Sequence, residues 1–318
     1  MFLEKGFLPT NKFWMYLVGS LIIFVASAIG QLPLVIAVLI KSFKIGKPFP
    51  KTETDIMTFL SLNTTLFLLL FSFVVAFFAI ILVVKYLHKQ TLMSVTTSRE
   101  RIDWKRIFFS FSLWGIFTVS STLLMIYFSP DDFVYNFKPI PFLILAIIGI
   151  VLIPIQTSTE EYVFRGYLMQ GFAVLAKNRW LPLVLTSVIF GTMHIANPEV
   201  EKMGYIILVY YIGTGFFLGI ITLMDEGIEL ALGFHAANNL VGALLITSDW
   251  SAFQTNSIFK DVSEPSAGFE ILAPIFIIFP LLLFIFSKKY NWTNWKEKLT
   301  GTIKIEVKEP IQNTRNHA

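Results

Sequence analysis

A chain of 318 residues that is 55% hydrophobic, 14% charged and has a mean hydropathy of +0.69 is a polytopic membrane protein, since soluble domains carry about a quarter charged residues. The absence of cysteine excludes disulfide frameworks, thiolate metal sites and cysteine nucleophiles. The net charge of +4 invites a nucleic-acid reading, but Lys and Arg gather at segment ends and in the tail, as membrane orientation requires, and no nucleic-acid module is present.

Residues 1–12 are short and weakly basic, and an apolar run follows over 13–40, broken by Gln31 and Pro33. Lys12 and Ala26-Ser27-Ala28 imitate a secretory signal with a small-residue cleavage site. The run continues past that point, so an uncleaved first membrane helix is expected, kinked or ended at Pro33. A basic loop (Lys41, Lys44, Lys47, Lys51) leads to a second span over 56–84. The loop after it, from Lys85 to Arg106, is the most basic, and 107–128 makes a third span. An acidic, proline-bearing loop with Asp131 and Asp132 precedes the fourth, over 142–155.

Thr157-Ser158-Thr159 then punctuates the chain. Ser158 with Glu161 three residues later fits a capping box, which predicts a new helix over 159–177. Asn178, Arg179 and Pro182 mark a tight return into 181–196, and Asn197-Pro198 ends that segment. The span 203–224 carries Gly213, Gly215 and Gly219, which permit close helix approach. A turn at Asp225-Glu226-Gly227 leads to 228–247; a polar loop, a last span over 271–287 and a polar tail complete the chain. The expected fold is an all-α transmembrane helix bundle of about eight helices, seven to nine. If the 159–177 helix merges with its predecessor or re-enters, there are eight spans with both termini inside; if it spans fully, there are nine. The expected divisions are 1–138 for the N-terminal helices, 139–247 for the core, 248–287 for a loop and the last span, and 288–318 for a soluble polar tail. The expected location is a plasma (inner) membrane, crossed several times.

Three polar constellations interrupt the apolar segments between Glu160 and Asn239, and ionisable groups at bilayer depth point by default to function. In the first, Glu161 and Arg165 stand at i and i+4 on a helix, with the acid N-terminal, the favourable order for an ion pair. Glu160 points about 100° away, which leaves it free as a base. The plainer alternative is a structural ion pair between helices. His194 ends the second constellation, Phe190 to His194. A lone helical histidine is more often a hydrogen-bonded core residue, but an antiparallel hairpin about residue 178 sets Glu160 and His194 at one depth. In the third, His235 and Asn239 share a helix face and form either an oxyanion clamp or ordinary interhelical polar contacts. His88 and His317 lie in polar flanks and are expected to be solvated. Asp225, Glu226 and Glu229 form a loop cluster without a histidine, and no HExxH, phosphate loop or GxSxG is present.

E-E-x-x-x-R, F-x-x-x-H and H-x-x-x-N, in this order, resemble the three motifs of the CPBP intramembrane proteases. That family holds the type 2 CAAX prenyl endopeptidases and the bacteriocin-processing and self-immunity (Abi) proteins. The strings from Glu160 to Gly166 and from Gly233 to Leu240 strengthen the likeness, which covers roughly residues 140–247. The resemblance implies peptide hydrolysis of a membrane-associated substrate in a cavity bounded by the bilayer. It implies Glu160 as general base, His194 orienting the water, His235 and Asn239 stabilising the oxyanion, and Glu161 with Arg165 holding geometry and charge. On ligand types, zinc on Glu160, His194 and His235 is one option and a metal-free Glu/His pair the other. No other cofactor is implied. A proton- or ion-coupled transporter and a non-catalytic peptide-binding immunity protein stand as alternatives, although no repeat of the transporter kind is evident.

Overall fold

The computed structural model describes residues 1–265 and 268–303. Among them, six helices are long and apolar enough to cross a membrane. They are α1 (Phe13–Ile45), α2 (Leu62–Leu87), α3 (Trp104–Phe128), α4 (Pro139–Ala176), α6 (Ile207–Asp225) and α8 (Ile271–Tyr290). Two shorter helices, α5 (Trp180–Ala196) and α7 (Glu229–Leu245), bring the bundle to eight. The all-α expectation holds and the chain is an integral membrane protein. Pro33 does not end α1, which runs on until Gly46 closes it in the left-handed region at φ 66°.

The break expected at Thr157-Ser158-Thr159 does not exist. The helix runs continuously from Pro139 to Ala176, with a π-helical stretch over Tyr162–Leu168. The reason lies in the hydroxyls. Thr157 Oγ1 donates to Ile153 O at 3.1 Å and Thr159 Oγ1 to Ile155 O at 2.7 Å, so both bond back into their own helix instead of capping a new one. The chain turns at Lys177 (φ 54°), and Asn178 Oδ1 accepts from Leu181 N to start α5, which makes α4 and α5 an antiparallel hairpin.

With eight alternating helices, the connections divide between two faces. Residues 1–12, 88–103, 177–179, 226–228 and 291–303 meet on the first. There Phe2 N donates to Glu226 Oε2 at 2.6 Å, and Lys5 Nζ to Thr97 O at 2.6 Å. Arg99 pairs with Asp225 and Glu229, and Arg106 with Asp225. The acidic trio around the 225–229 turn is therefore bound up in ion pairs. Part of the segment expected to be a soluble tail folds against the same face. Trp292 is buried and donates to Asp225 Oδ1, Lys298 Nζ donates to Met224 O, and Ile303 N donates to Lys177 O. The rest of that tail, 304–318, with His317, lies outside the described residues.

On the second face three short strands, absent from the sequence reading, form one sheet. They are β1 (Phe133–Tyr135), β2 (Ile246–Ser248) and β3 (Phe259–Asp261), ordered β1-β3-β2. β1 pairs antiparallel with β3 (Phe133 opposite Asp261), and β2 pairs parallel with it (Ile246 opposite Phe259). Three-residue strands are too short to show a period of two, which is why they read as loop.

His88 corrects another expectation. It is fully buried, with Nε2 2.7 Å from Tyr167 Oη and Nδ1 3.2 Å from Asn11 Oδ1. The apolar core around it joins α1, α2 and α4 near the first face, through Tyr16, Val83 and Tyr167 among others. A second core joins α3, α6, α7 and α8 around Trp114, Phe217, Phe234 and Phe279.

Candidate functional site

Between these cores a cavity of about 740 Å³ enters the bundle from the second face. Glu160, His194, His235 and Asn239 all line it. The structure thus brings together four of the six residues singled out in the sequence; the other two, Glu161 and Arg165, lie directly behind its wall.

Glu161 and Arg165 are fully buried, with Arg165 Nη1 donating to Glu161 Oε1 at 3.0 Å. Arg165 Nη2 also donates to Gly215 O at 3.2 Å, and the guanidinium lies 4.3 Å from the centre of the Phe190 ring. One arginine thereby ties α4 to α6 and α5. A charge taken this far from water is tolerable only when paired and hydrogen-bonded; these partners meet Nη1 and Nη2, while Arg165 Nε and Glu161 Oε2 are buried without a hydrogen bond.

Glu161 has a second partner. Its Oε1 lies 2.8 Å from His235 Nδ1, and an ionised carboxylate only accepts, so this nitrogen is the donor. The ring is oriented with Nε2 facing the cavity, 3.5 Å from Glu160 Oε2. His235 therefore stands between two glutamates with different surroundings. The Glu160 side chain keeps 19% of its surface exposed whereas Glu161 keeps none, so only Glu160 meets water or a ligand.

His194 is held in the same manner. Its Nδ1 donates to Phe190 O at 2.8 Å, which leaves Nε2 free, and its ring stacks on Tyr211 at 4.2 Å with planes 17° apart. The last turn of α5, Met193–Ala196, is a 3-10 helix. Phe190, His194 and Asn197, at this end of the helix, line the cavity.

Sequence reasoning missed a polar chain that ends on Glu160. Trp114 Nε1 donates to Asn238 Oδ1 (3.1 Å), Asn238 Nδ2 to Asn239 Oδ1 (3.0 Å) and Asn239 Nδ2 to Gln156 Oε1 (3.0 Å). Gln156 Nε2 then donates to Glu160 Oε1 at 2.7 Å. Each amide accepts from one neighbour and donates to the next, so the chain points all its donors toward one carboxylate. Asn239 spends one of its two N–H groups on Gln156 and keeps the other. Gln156 was detectable in the sequence as a polar residue four before Glu160, but the fourth span was expected to end at Ile155.

Glycine sets how closely these helices approach. A Cβ on Gly233 would collide with Ile107 O of α3, and one on Gly215 would come within 2.7 Å of Ser187 O of α5. Only glycine lets the backbone of α7 lie against α3 and so carry His235 and Asn239 to this depth.

Among the described residues, no group of three or more His, Cys, Asp or Glu is arranged to hold a metal ion. Glu160, His194 and His235 share the cavity without converging as a ligand set, so the zinc option finds no donor cluster here.

Residues 139–241 match the family described as Type II CAAX prenyl endopeptidase Rce1-like. The resemblance read from the three motifs therefore holds over the segment that contains all of them. Among curated proteins, the chain is similar to the uncharacterized protein YyaK of Bacillus subtilis (strain 168), with 34% identity over 176 residues. That match covers 54% of this chain and 58% of the relative, so the chain spans little more than half of the relative's length. No solved structure matches.

Proposed function

We propose that this chain is an intramembrane endopeptidase in which Glu160 activates a water against a peptide bond of a membrane-associated chain. The observation that carries the reading is one cavity, inside an apolar bundle, holding a part-exposed carboxylate and two imidazoles whose Nδ1 atoms are tied back. The family match over 139–241 supports the same reaction class.

In the proposed reaction, a water beside Glu160 Oε2 is oriented by the free Nε2 of His194. Glu160 takes a proton from it as the oxygen attacks the peptide carbonyl carbon. The oxyanion meets the second N–H of Asn239 and His235 Nε2, which donates when the ring carries a proton on each nitrogen; both groups are held in place before the substrate arrives. Glu160 then passes the proton to the amide nitrogen, the C–N bond breaks, and an amine and a carboxylic acid leave. Glu161 and Arg165 touch no reacting atom and act by positioning His235.

Comparison of membrane peptides from cells carrying the wild type or Glu160→Gln tests this. New peptide termini are expected to depend on Glu160, with a loss of roughly 10²–10⁴-fold for a removed general base. His194→Ala is expected to lose cleavage as well, while both variants accumulate in membranes at wild-type levels. Undiminished cleavage by Glu160→Gln would overturn the reading. A biological effect that persists in this variant without cleavage would favour peptide binding instead.

A further inference from the structure

The groups assigned to the proposed reaction serve the water, the oxyanion and the leaving amine, and none of them binds the peptide beside the cleaved bond. A chain drawn into a cavity with apolar walls brings backbone N–H groups that cost free energy unless acceptors meet them there. Gln31 offers such an acceptor. It interrupts the apolar run of α1, and a polar side chain inside a membrane span points to function. Among the described residues, α1 and α2 lend the cavity wall Gln31, Leu34, Leu69 and Phe73, and of these Gln31 alone is polar.

Its amide is fixed in place and in direction. A Cβ on Gly30 would come within 2.7 Å of Ser72 Cα, so glycine lets α1 lie against α2 at this level. Gln31 Nε2 stands 3.2 Å from Ser72 Oγ, which spends its own hydrogen on Leu69 O at 2.8 Å and so can only accept. The amide nitrogen is therefore the end that is held. Gln31 Oε1 receives no hydrogen bond from any described residue, and it is not sealed off as the unpartnered Oε2 of Glu161 is. The level is that of the proposed general base. Phe73 O, one residue on from Ser72, lies 3.1 Å from Thr159 Oγ1, and Thr159 precedes Glu160. Two adjacent residues of α2 thus connect Gln31 to the helical turn that carries Glu160.

We propose that Gln31 is a substrate-binding residue, whose Oε1 accepts a backbone N–H of the peptide close to the bond that Glu160 attacks. This assignment rests on the peptidase reading above and adds the hold on the substrate that it lacks. The hydrogen bond exists in the bound peptide before and during the attack, so it acts on KM and not on kcat. The plainer role, a polar contact between α1 and α2, ends at Ser72 and touches no substrate.

The test uses the purified full chain and a synthetic peptide that spans a Glu160-dependent terminus mapped in cells. Gln31→Met keeps the length of the side chain and removes the amide. It is expected to raise KM roughly 3- to 10-fold, the worth of one hydrogen bond, with kcat and the unfolding temperature unchanged. A second set of peptides carries a single N-methyl group, placed in turn on each backbone nitrogen near the cleaved bond except its own. One position is expected to cost the wild type a similar factor and to cost Gln31→Met nothing further, the coupling that marks a direct contact. Equal costs in the two proteins at every position overturn the assignment, as does an unchanged KM in Gln31→Met. If Gln31→Met fails to accumulate, Gln31→Leu is read in the same cycle. The absence of any Glu160-dependent terminus removes the peptidase reading and this assignment with it, whereas Glu160-dependent cleavage with equal costs removes the assignment alone.

Discussion

At the scale of single residues, the site separates two adjacent glutamates by what stands beside each. Glu161 is enclosed with Arg165 and spends Oε1 on both Arg165 and His235, whereas Glu160 faces the cavity and receives Gln156. Different consequences follow for their neighbours. Removing one member of a buried pair leaves the other charge uncompensated, at a cost of about 3–5 kcal/mol. Arg165→Met is thus expected to lower the thermal unfolding temperature in detergent sharply, and the double variant Glu161→Leu/Arg165→Met to restore part of the loss. A double variant less stable than the single one would show that the pair is not the source. Gln156 predicts the opposite signature, since it holds a carboxylate in place without sharing its charge. Gln156→Leu is expected to leave stability nearly unchanged and to lower kcat with little change in KM. The loss should approach the roughly 10²-fold that a misplacement of about 1 Å brings. A fall in unfolding temperature matching that of Arg165→Met would assign Gln156 a structural role instead.

At the scale of elements, the helices were legible in the sequence to the extent that their boundaries depend on composition. Apolar runs located the spans, and three polar groups inside them located the site. What escaped depends on partners distant in sequence or on backbone detail. Ser158 and Glu161 have the spacing of a capping box, but Thr157 and Thr159 bond back into α4 and the helix continues. The π-helical stretch over Tyr162–Leu168 has no signature in residue type. His88 was read as a polar flank because the residues that bury it, Asn11 and Tyr167, lie 77 and 79 positions away. Its burial makes a prediction about pH. Loss of hydration pushes the His88 imidazole down to about 4 from its ordinary 6.5. Between those values the unfolded chain takes up a proton that the folded one refuses, so this group lowers stability as pH falls from 6.5 toward 4. Unfolding temperature measured across that range is expected to fall less steeply in His88→Gln than in the wild type. Parallel curves would place the acid sensitivity elsewhere. The α3–α7 contact has its own test at this scale. Gly233→Ala forces the helices apart at Ile107 and is expected to cost about 1–3 kcal/mol, as overpacking does.

At the scale of the whole molecule, charge is sorted in two ways at once. Lys and Arg crowd the first face, while among the described residues no Lys or Arg lines the cavity and the acidic lining residues are Glu160, Glu199 and Asp261. The Glu161–Arg165 pair behind the wall is neutral overall and does not offset them. A concave site with low-dielectric walls concentrates the field of its own charges, so the cavity attracts cations and repels anions on approach. For a peptidase this becomes a preference among substrates with equivalent scissile bonds. The sequence alone could not show it, because Glu199 and Asp261 reach the cavity from two loops whose meeting is fixed only by the second-face connections. Two peptides identical at the cleaved bond but flanked by Lys in one and Glu in the other isolate the effect. The Lys-flanked peptide is expected to react with the higher kcat/KM. The ratio should shrink as salt is raised from low to several hundred millimolar, because screening shortens the reach of the field to a few ångströms. Asp261→Asn should shrink it at low salt while leaving kcat for a neutral peptide unchanged, since Asp261 lines the cavity from β3 and is not placed at the reacting atoms. A ratio near one at low salt would mean that the cavity selects by shape and that its acidic rim serves only to hold the second-face loops together.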